Sequence, residues 1–270
     1  MPLLIIVVYS FLEKPSQGTG VKWVFTLENY KALFIQEKLD GTTALDTRYI
    51  KVLWTSFYYS LLTTVVTLVL SIPVAMWIAT RDARKRNLLV ALVTLPFWIS
   101  ILIRTYGMRQ IVADEGPIGK FLGIFNIEWS ILYSPPATIL GLIYVFLPFM
   151  ILPIYASAER FDFRLAEAAY DLGAKRMTVV RRVILPSIRP GVISGIALVF
   201  IPALGSFLQS DMLGGGKTNM VANVIANNFG QARNWPFGSA LAVLLIVLTL
   251  LFVLIMQGAA QRRGDKVELV

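Results

Sequence analysis

The chain has 270 residues, of which 56% are hydrophobic and 15% are charged, and its formal net charge is +9. Soluble domains carry about 25% charged residues, so this composition, with a mean hydropathy of +0.68, predicts an integral membrane protein. The sequence contains no Cys and no His, which excludes disulfides and removes the commonest metal ligand and proton shuttle. We therefore expect no catalytic site and no metal site.

The first apolar run, residues 2–12, is 11 residues long. A helix that crosses the membrane needs about 20 mostly apolar residues, so this run is too short to span. It is either the outer half of a first helix whose beginning lies upstream of Met1 or a short interfacial segment. We expect the first of these, a truncated helix.

Five later stretches are long and apolar enough to span the membrane. They are residues 52–80, 88–112, 136–158, 191–209 and 237–257. Together with the truncated first helix they predict an all-α integral membrane protein with about six transmembrane helices. We expect residues 1–270 to form a single transmembrane domain.

Basic residues are concentrated in alternate connections between these spans. Segment 81–87 holds four Lys and Arg, segment 159–189 holds seven, and the tail after residue 257 holds three. The stretch 13–51 instead balances six basic residues against five acidic ones. Because basic loops stay on the cytoplasmic side, we predict a multi-pass inner-membrane protein with both termini in the cytoplasm. The basic run at 81–87 is then a topological anchor, and we expect no nucleic-acid partner.

One polar, helix-forming segment lies between two of the apolar spans. Four of its apolar residues recur at i, i+3, i+4 and i+7, which is one face of a helix: Leu165, Ala168, Ala169 and Leu172. Gly173 stands where a helix C-terminal cap is expected, and a second helix is predicted to start near Arg176. By periodicity alone this segment could be a solvated helix, a helix on anionic lipid or a docking element.

The spacing in this segment is Glu-Ala-Ala, three residues, Gly, nine residues, an aliphatic residue, one more residue and Leu-Pro. It resembles the EAA loop of the permease subunits of binding-protein-dependent, type I ABC importers. The matching residues are Glu167, Ala168, Ala169, Gly173, Leu185 and Pro186. Val183 departs mildly from the pattern, because the family usually has Ile there. The resemblance implies that segment 159–189 is the coupling loop, which docks into a groove on a cytoplasmic ATPase.

Further segments resemble one branch of this family, the spermidine/putrescine permeases, and in particular the first of their two membrane subunits. They are "FTLENY" at 25–30, "LPFWISILIRTYG" at 95–107, "LGGGKTNMVANVI" at 213–225 and "NWPFGSA" at 234–240. The likeness covers essentially the whole chain apart from the shortened start. It implies a polyamine as the transported solute, and the alternative is another small solute of the same superfamily.

The resemblance also implies partners and a mechanism. The partners are a second homologous permease subunit, two ATP-binding cassette subunits and an external substrate-binding protein. The mechanism is ATP-driven alternating access, with ATP bound by the partner and no cofactor on this chain. The run "GGGKT" at 214–218 does not change this, because a phosphate-binding loop needs Gly where Asp211 stands.

Three residues are candidates for the substrate path. Asp211 follows the fifth predicted span, and ionisable residues near spans usually face an interior. It is a candidate for a cation path, but it could also pair with Arg104 or Arg109 or cap a helix. Trp98 and Tyr106 could hold ammonium groups through cation–π contacts, or they could be packing or interface residues.

Two other functional classes are disfavoured. A membrane-embedded enzyme would need a cluster of polar catalytic residues, and the spans contain no paired acids. A stand-alone secondary transporter often shows inverted repeats and midplane ion sites, and the sequence shows neither. Copurification with an ATPase would separate such a transporter from an ABC permease.

Overall fold

The computed structural model describes residues 2–15, 18–37, 43–124 and 130–261. Helices dominate this part of the chain, as the sequence predicts. The helices of the first half are α1 (Pro2–Ser10), α2 (Glu28–Lys31), α3 (Thr47–Ala79), α4 (Ala83–Thr94), α5 (Ile101–Val112) and α6 (Pro117–Ile124). Those of the second half are α7 (Pro135–Glu159), α8 (Arg164–Asp171), α9 (Arg176–Val179), α10 (Leu185–Ser187), α11 (Arg189–Leu204), α12 (Leu208–Gly214), α13 (Val221–Phe229) and α14 (Trp235–Gln261).

Two short antiparallel strand pairs lie between α1 and α3, and the sequence did not predict them. Strand β1 (Leu12–Glu13) pairs with β2 (Lys22–Phe25), and β3 (Ile35–Glu37) pairs with β4 (Thr43–Leu45). These strands are too short for a clear alternation of apolar and polar residues. The other regular elements of the described residues are helices.

The start of α3 is fixed by Asp46, the residue directly before it. The Asp46 Oδ1 accepts a hydrogen bond from the Arg48 backbone N–H at 2.9 Å, and Oδ2 accepts one from Arg48 Nη2 at 2.8 Å. The side-chain hydrogen bond from Arg48 lowers the pKa of Asp46 below its ordinary value. The carboxylate is therefore charged, and it stabilises the helix N-terminus both as a cap and through the helix dipole.

Three of the predicted spans are continuous helices of sufficient length and apolar character. They are α3, α7 and the Trp235–Gly258 part of α14. Two bent helix pairs raise the number of candidate spans within the described residues to five, if each pair is one span. The pairs are Ala83–Trp98 with Ile101–Phe121, bent by 97°, and Arg176–Ser187 with Arg189–Leu204, bent by 72°.

The predicted span over 88–112 is a bent pair of helices rather than one continuous helix. Helix α4 passes into a 3₁₀ turn at Leu95–Trp98, and Ile99 is extended, with φ −101° and ψ 132°, before α5 begins. Pro96 is the second residue of this 3₁₀ turn, and proline removes a backbone donor that a continuous helix would use. The apolar composition of the stretch therefore hides a broken helix.

The predicted span 191–209 is also interrupted. Helix α11 ends at Leu204, a turn follows at Gly205, and α12 starts only at Leu208. Glycine is among the weakest helix formers, which favours an end at this point. Asp211 consequently lies on a separate short helix rather than just beyond a long one.

Contacts within the chain divide it into two compact units. The first unit is Met1–Ser60, Thr105–Gly141 and Pro202–Phe252, and the second is Leu61–Arg104, Leu142–Ile201 and Val253–Val270. In the first unit one core cluster consists of the buried residues Leu33, Val221, Phe237 and Leu241. The single transmembrane domain over 1–270 stays a prediction.

In the second unit α7 and α11 approach each other closely at glycines. A Cβ atom at Gly191 would overlap the Pro153 carbonyl oxygen and the Ser157 hydroxyl. At Gly195 an added Cβ would lie 2.7 Å from the Met150 sulfur. The two helices can pack with their backbones in contact only because these positions lack side chains, an arrangement common between membrane helices.

We predict that Gly191→Val destabilises the protein, because the new side chain would force α11 away from the α7 backbone. The expected loss is about 2 kcal/mol or more, as for overpacking a tight interior. Thermal unfolding in detergent measures it. The matched control is Gly258→Val on α14, where a Cβ meets no atom within 4 Å. Equal melting temperatures for the two variants would contradict this account of the packing.

Candidate functional site

The polar segment between α7 and α11 forms a small helical module in the second unit. Helix α8 and the turn that follows α9 enclose a core of the buried residues Phe161, Ala166 and Val179. Partly buried apolar residues pack around that core: Phe163, Ala169, Ala174, Val183 and Ile184. The predicted helix at 165–173 and the predicted second helix start at Arg176 are both confirmed.

Helix α8 directs two different faces inward and outward. Ala166 is buried and Ala169 packs on the core, so the face that contacts the rest of the unit carries small residues. Leu165 is 56% exposed and Leu172 is 88% exposed. Ala168 is exposed on the same outward face. The apolar stripe predicted from the sequence is therefore largely the outward face of the helix.

Gly173 ends α8 in the way its position predicts. Its φ is +79°, in the left-handed region. The Gly173 N–H donates to the Tyr170 carbonyl at 2.8 Å, and the Ala174 N–H donates to the Ala169 carbonyl at 3.0 Å. These are the two hydrogen bonds of a Schellman motif, which satisfies the last carbonyls of a helix. The cap aims the exposed Leu172 away from the core.

Glu167 lies in the first turn of α8, and its side chain is exposed. A carboxylate in that position is stabilised by the helix dipole. The start of the helix is held by Asp162, whose Oδ1 accepts a hydrogen bond from the Arg164 N–H at 3.0 Å. Glu167 is thus presented on the outside of a well-defined helical turn.

The remaining two coupling residues lie further along the segment, where the chain turns into α11. A π-helical turn at Val180–Ile184 leads into α10, which contains Leu185 and Pro186. The chain then bends into α11, and Ile188 is fully buried at that point. The six predicted coupling residues therefore occupy two places, α8 with its C-terminal turn and the elbow before α11. Of those on α8, Glu167 and Ala168 are exposed, whereas Ala169 packs inward on the core. Val183 and Ile184 connect the two places, because both pack on the α8 core.

An ion pair links the two basic connections of the second unit. Arg86 Nη2 lies 3.2 Å from Glu159 Oε1, which joins the start of α4 to the end of α7. Nearby, the Arg81 guanidinium lies 4.5 Å from the Trp77 ring centroid. Segments 81–87 and 159–189 therefore lie at the same end of this unit, as the predicted topology requires. The basic residues of the tail lie outside the described residues.

The three predicted substrate-path residues are exposed. Asp211 is in the first turn of α12 in the first unit, and Tyr106 is 49% exposed on α5. Trp98, in the second unit, is 89% exposed at the end of the 3₁₀ turn. A role for these three residues in a substrate path stays a prediction.

Arg109 contacts Tyr133. Its Nη2 donates to the Tyr133 hydroxyl at 2.6 Å, and its guanidinium lies 5.8 Å from that ring's centroid. The ion pairs seen among the described residues join Lys22 to Glu13, Arg48 to Asp46 and Arg86 to Glu159, and none of them involves Asp211. A pairing of Asp211 with Arg104, a residue of the second unit, stays a prediction.

Asp211 lines a polar concavity of about 470 Å³ that the sequence analysis missed. The polar side chains around it are Asp211, Asn219, Asn223, Asn227 and Gln231, and Phe207 provides an aromatic ring. The four amides recur every four residues, which is close to one turn of a helix. That spacing was the available sequence signal. It is weak alone, because amides at this spacing are also common on solvated helices.

The carboxylates of the described residues do not gather into a metal-binding group. The geometry instead consists of a helix with an exposed apolar face and a polar concavity with one acid. The first suits a protein contact, and the second suits a small polar ligand.

Comparison with known proteins gives the family. The model of the binding-protein-dependent transport system inner membrane component matches residues 43–265. The chain belongs to this family. It is a multi-pass inner-membrane permease subunit of the ABC importer type, and not an ATPase.

The curated relatives of this permease subunit are similar over its whole length. The chain is 39% identical over 272 residues to the spermidine/putrescine transport system permease protein PotB of Escherichia coli K12, covering 100% of this chain and 94% of that protein. It is also 39% identical to the PotB protein of Haemophilus influenzae, covering 100% of this chain and 91% of that one. The predicted resemblance to this branch of the family is confirmed.

Solved structures of ABC importers share the fold. A chain of a bacterial transporter that imports the acidic polysaccharide alginate superposes with a TM-score of 0.71 at 19% identity, over 97% of this permease and 90% of that chain. A chain of the inward-facing MetNI methionine transporter gives a TM-score of 0.58 at 20% identity, over 79% of this permease and 93% of that chain. The predicted type I ABC importer permease fold is confirmed.

We predict that glycine is required at position 173 of the permease for its left-handed backbone conformation and not for lack of space for a side chain. A Cβ at Gly173 meets no atom within 4 Å, so a side chain fits sterically within this chain. Gly173→Val should nevertheless cost about 1–2 kcal/mol, because a β-branched residue is strained at this φ. Gly173→Asn should cost less, because Asn tolerates that conformation.

The measurement is solute transported per ATP hydrolysed in the reconstituted transporter, together with the yield of assembled complex. Val should lower one or both, and Asn should keep most of each. A bulkier Gly173→Trp variant that assembles and transports normally would contradict a coupling role for this turn.

Proposed function

We propose that this permease subunit moves spermidine or putrescine across the cytoplasmic membrane by ATP-driven alternating access. The observation that carries the transport role is helix α8, which keeps Leu165 and Leu172 exposed although both are apolar. Such a face outside the membrane favours burial by another protein. Similarity to the polyamine permeases over the full chain supports the choice of solute.

Helix α8 and the elbow at Leu185 and Pro186 transmit the motion of the ATPase. The ATPase binds the outward side of α8, including Glu167, Ala168 and Leu172. Force on α8 passes through the core of Phe161, Ala166 and Val179 into the π-helical turn. That turn continues into the elbow and α11, so displacement of α8 tilts a membrane helix. Packed helical cores transmit such shifts because they do not deform continuously.

The side of the membrane follows from charge. The α8 module and segment 81–87 lie at one end of the second unit and carry many basic residues. The positive-inside rule assigns that end to the cytoplasm, where ATP is available. Both termini are then cytoplasmic, and the alternation of spans along the chain assigns Asp211 to the external side.

The complete transporter contains four further subunits. They are a second homologous permease, two ATP-binding cassette subunits that bind ATP, and an external substrate-binding protein. A related alginate transporter was crystallised in complex with an alginate pentasaccharide-bound periplasmic protein, which supports the last of these. This chain needs no cofactor of its own.

We predict that the exposed leucines of α8 contribute directly to the affinity for the ATPase. Leu172→Ala should weaken binding of the purified ATPase subunit to the permease pair by about tenfold or more, because a buried leucine side chain contributes about 2 kcal/mol. Leu165→Ala should act in the same direction. Titration in detergent or nanodiscs measures the dissociation constant.

The matched control is Leu88→Ala. Leu88 is 62% exposed on α4, comparable to Leu165, but lies outside the α8 module. Its replacement should leave the dissociation constant unchanged. Equal effects of Leu88→Ala and Leu172→Ala would contradict α8 as the docking helix.

We predict that Asp211→Asn lowers polyamine uptake severalfold while the complex still folds and assembles. A carboxylate in a concavity attracts a multiply charged amine more strongly than one in bulk water, because the surrounding protein lowers the effective dielectric constant. Uptake of radiolabelled spermidine into proteoliposomes measures this. Asp114→Asn removes an exposed carboxylate of the same unit outside the concavity and should have no effect.

The competing account makes Asp211 a structural partner of Arg104. In that case Asp211→Asn would destabilise the complex, and adding Arg104→Gln would restore part of the loss, since no unpaired charge remains. Normal uptake by a well-expressed Asp211→Asn variant would contradict the substrate role. Uptake of a different small solute, without polyamine uptake by the wild type, would replace the proposed substrate.

A further inference from the structure

The concavity beside Asp211 has the chemistry of a binding site for alkylammonium groups. We infer that Asn219, Asn227 and Gln231 bind an amine together with Asp211, so that amides surround a single carboxylate. The identification of the amine as a transported polyamine rests on the proposed function. The site itself rests on the residues that line the concavity.

The size and charge of the concavity suit a small cation. Its volume of about 470 Å³ lies within the roughly 300–1,000 Å³ typical of small-molecule sites. Asp211 is the one ionisable side chain among the lining residues, and the others are neutral. The lining therefore has a net charge of −1, which favours a cation over an anion or a neutral solute.

A ladder of four amides lines the concavity. Asn223 and Asn227 stand one turn apart on α13 and share a face of it, whereas Asn219 lies just before the helix begins and Gln231 just after it ends. The neighbouring Asn228 is buried instead, and its Nδ2 donates to the Val224 carbonyl at 2.8 Å. Asn219, Asn227 and Gln231 are exposed, so their amides face the concavity and the solvent.

Asn223 has a different role, because it fastens this ladder to α12. Its Oδ1 accepts a hydrogen bond from the Met220 N–H at 3.1 Å, and its Nδ2 donates to the Phe207 carbonyl at 3.1 Å. Phe207 directly precedes α12, the helix that carries Asp211. The bridge through Asn223 thus holds the start of α13 against the start of α12 and keeps the carboxylate beside the amides.

This composition is suited to passage rather than to tight capture. An ammonium group donates hydrogen bonds, and amide and carboxylate oxygens accept them. The carboxylate provides the attraction, and the Phe207 ring can contribute a cation–π contact. Only one ammonium of a multiply charged amine can be neutralised at a time, so the remaining charges stay solvated and the amine is released readily.

Introduced thiols can test the local charge, because the chain contains no Cys. Asn227→Cys in the assembled transporter places the one thiol of this chain in the concavity. We expect a cationic methanethiosulfonate reagent to modify it about tenfold faster than an anionic reagent of similar size, after correction for their rates with free cysteine. Adding Asp211→Asn should reduce this preference to near parity. Mass spectrometry of this subunit measures the rates.

The control is Gln110→Cys, which replaces an exposed amide of α5 outside the concavity. Its labelling should not respond to Asp211→Asn. Spermidine should slow the labelling of Asn227→Cys and leave that of Gln110→Cys unchanged, and a neutral polyol at equal concentration should slow neither. If Asn227→Cys does not assemble, Gln231→Cys carries the same test.

The outcomes separate the site from the proposed function. A thiol at 227 that shows no charge preference, or one insensitive to Asp211→Asn, overturns the alkylammonium site even when the wild type imports polyamines. Charge preference in a transporter that imports no polyamine leaves the site standing and overturns the proposed solute. Slowing by the polyol as much as by spermidine would assign the concavity to neutral ligands.

Discussion

The packing of α8 on its small core is the interaction on which the coupling segment depends. Ala166 and Ala169 give this helix a narrow inward face, so α8 lies close to Val179 and the turn that follows. A helix of eight residues is marginal in isolation, and this contact together with the Gly173 cap holds it in place. Because small residues satisfy the inward contact, the larger apolar side chains are left on the outside. In the proposed mechanism, one short helix thereby serves both as the docking surface and as the mechanical link.

The same principle, backbone approach through small residues, governs the membrane part of the second unit. Gly191 and Gly195 bring α11 against α7 near Pro153 and Met150. Lipid provides no hydrophobic driving force between helices, so close packing must supply the attraction. Since α11 starts at the elbow that follows the α8 module, a tightly packed α11 also fixes where that module stands. In the proposed mechanism, motion of the module is transmitted to α7 through this close contact.

Patterns carried by many residues could be predicted from the sequence. The continuous spans, the helix at 165–173, its glycine cap and the pairing of basic segments at one end all follow from composition, periodicity or charge. The size of the bend after Pro96 was not predicted, because proline favours a kink but hydropathy averages over a window and cannot distinguish a kinked helix from two bent halves. The strand pairs before α3 were missed because two to four residues are too few to show a period. The outward direction of Leu165 and Leu172 was not predictable, because periodicity identifies a face but not what covers it.

The concavity shows a further limit of reading residues singly. Asp211 could be identified from the sequence because it is charged, whereas the amides carry no charge and could not be distinguished from those of an ordinary polar loop. Their significance depends on α12 and α13 meeting at the Asn223 bridge, which is a tertiary fact. A transport path has a reason to place its charge in this way. Several carboxylates would hold a polyvalent cation strongly and retain it, since attraction grows with each added charge. In the proposed site, one carboxylate among neutral acceptors would attract a cationic solute without retaining it, which suits a path whose tight capture is left to a separate binding protein.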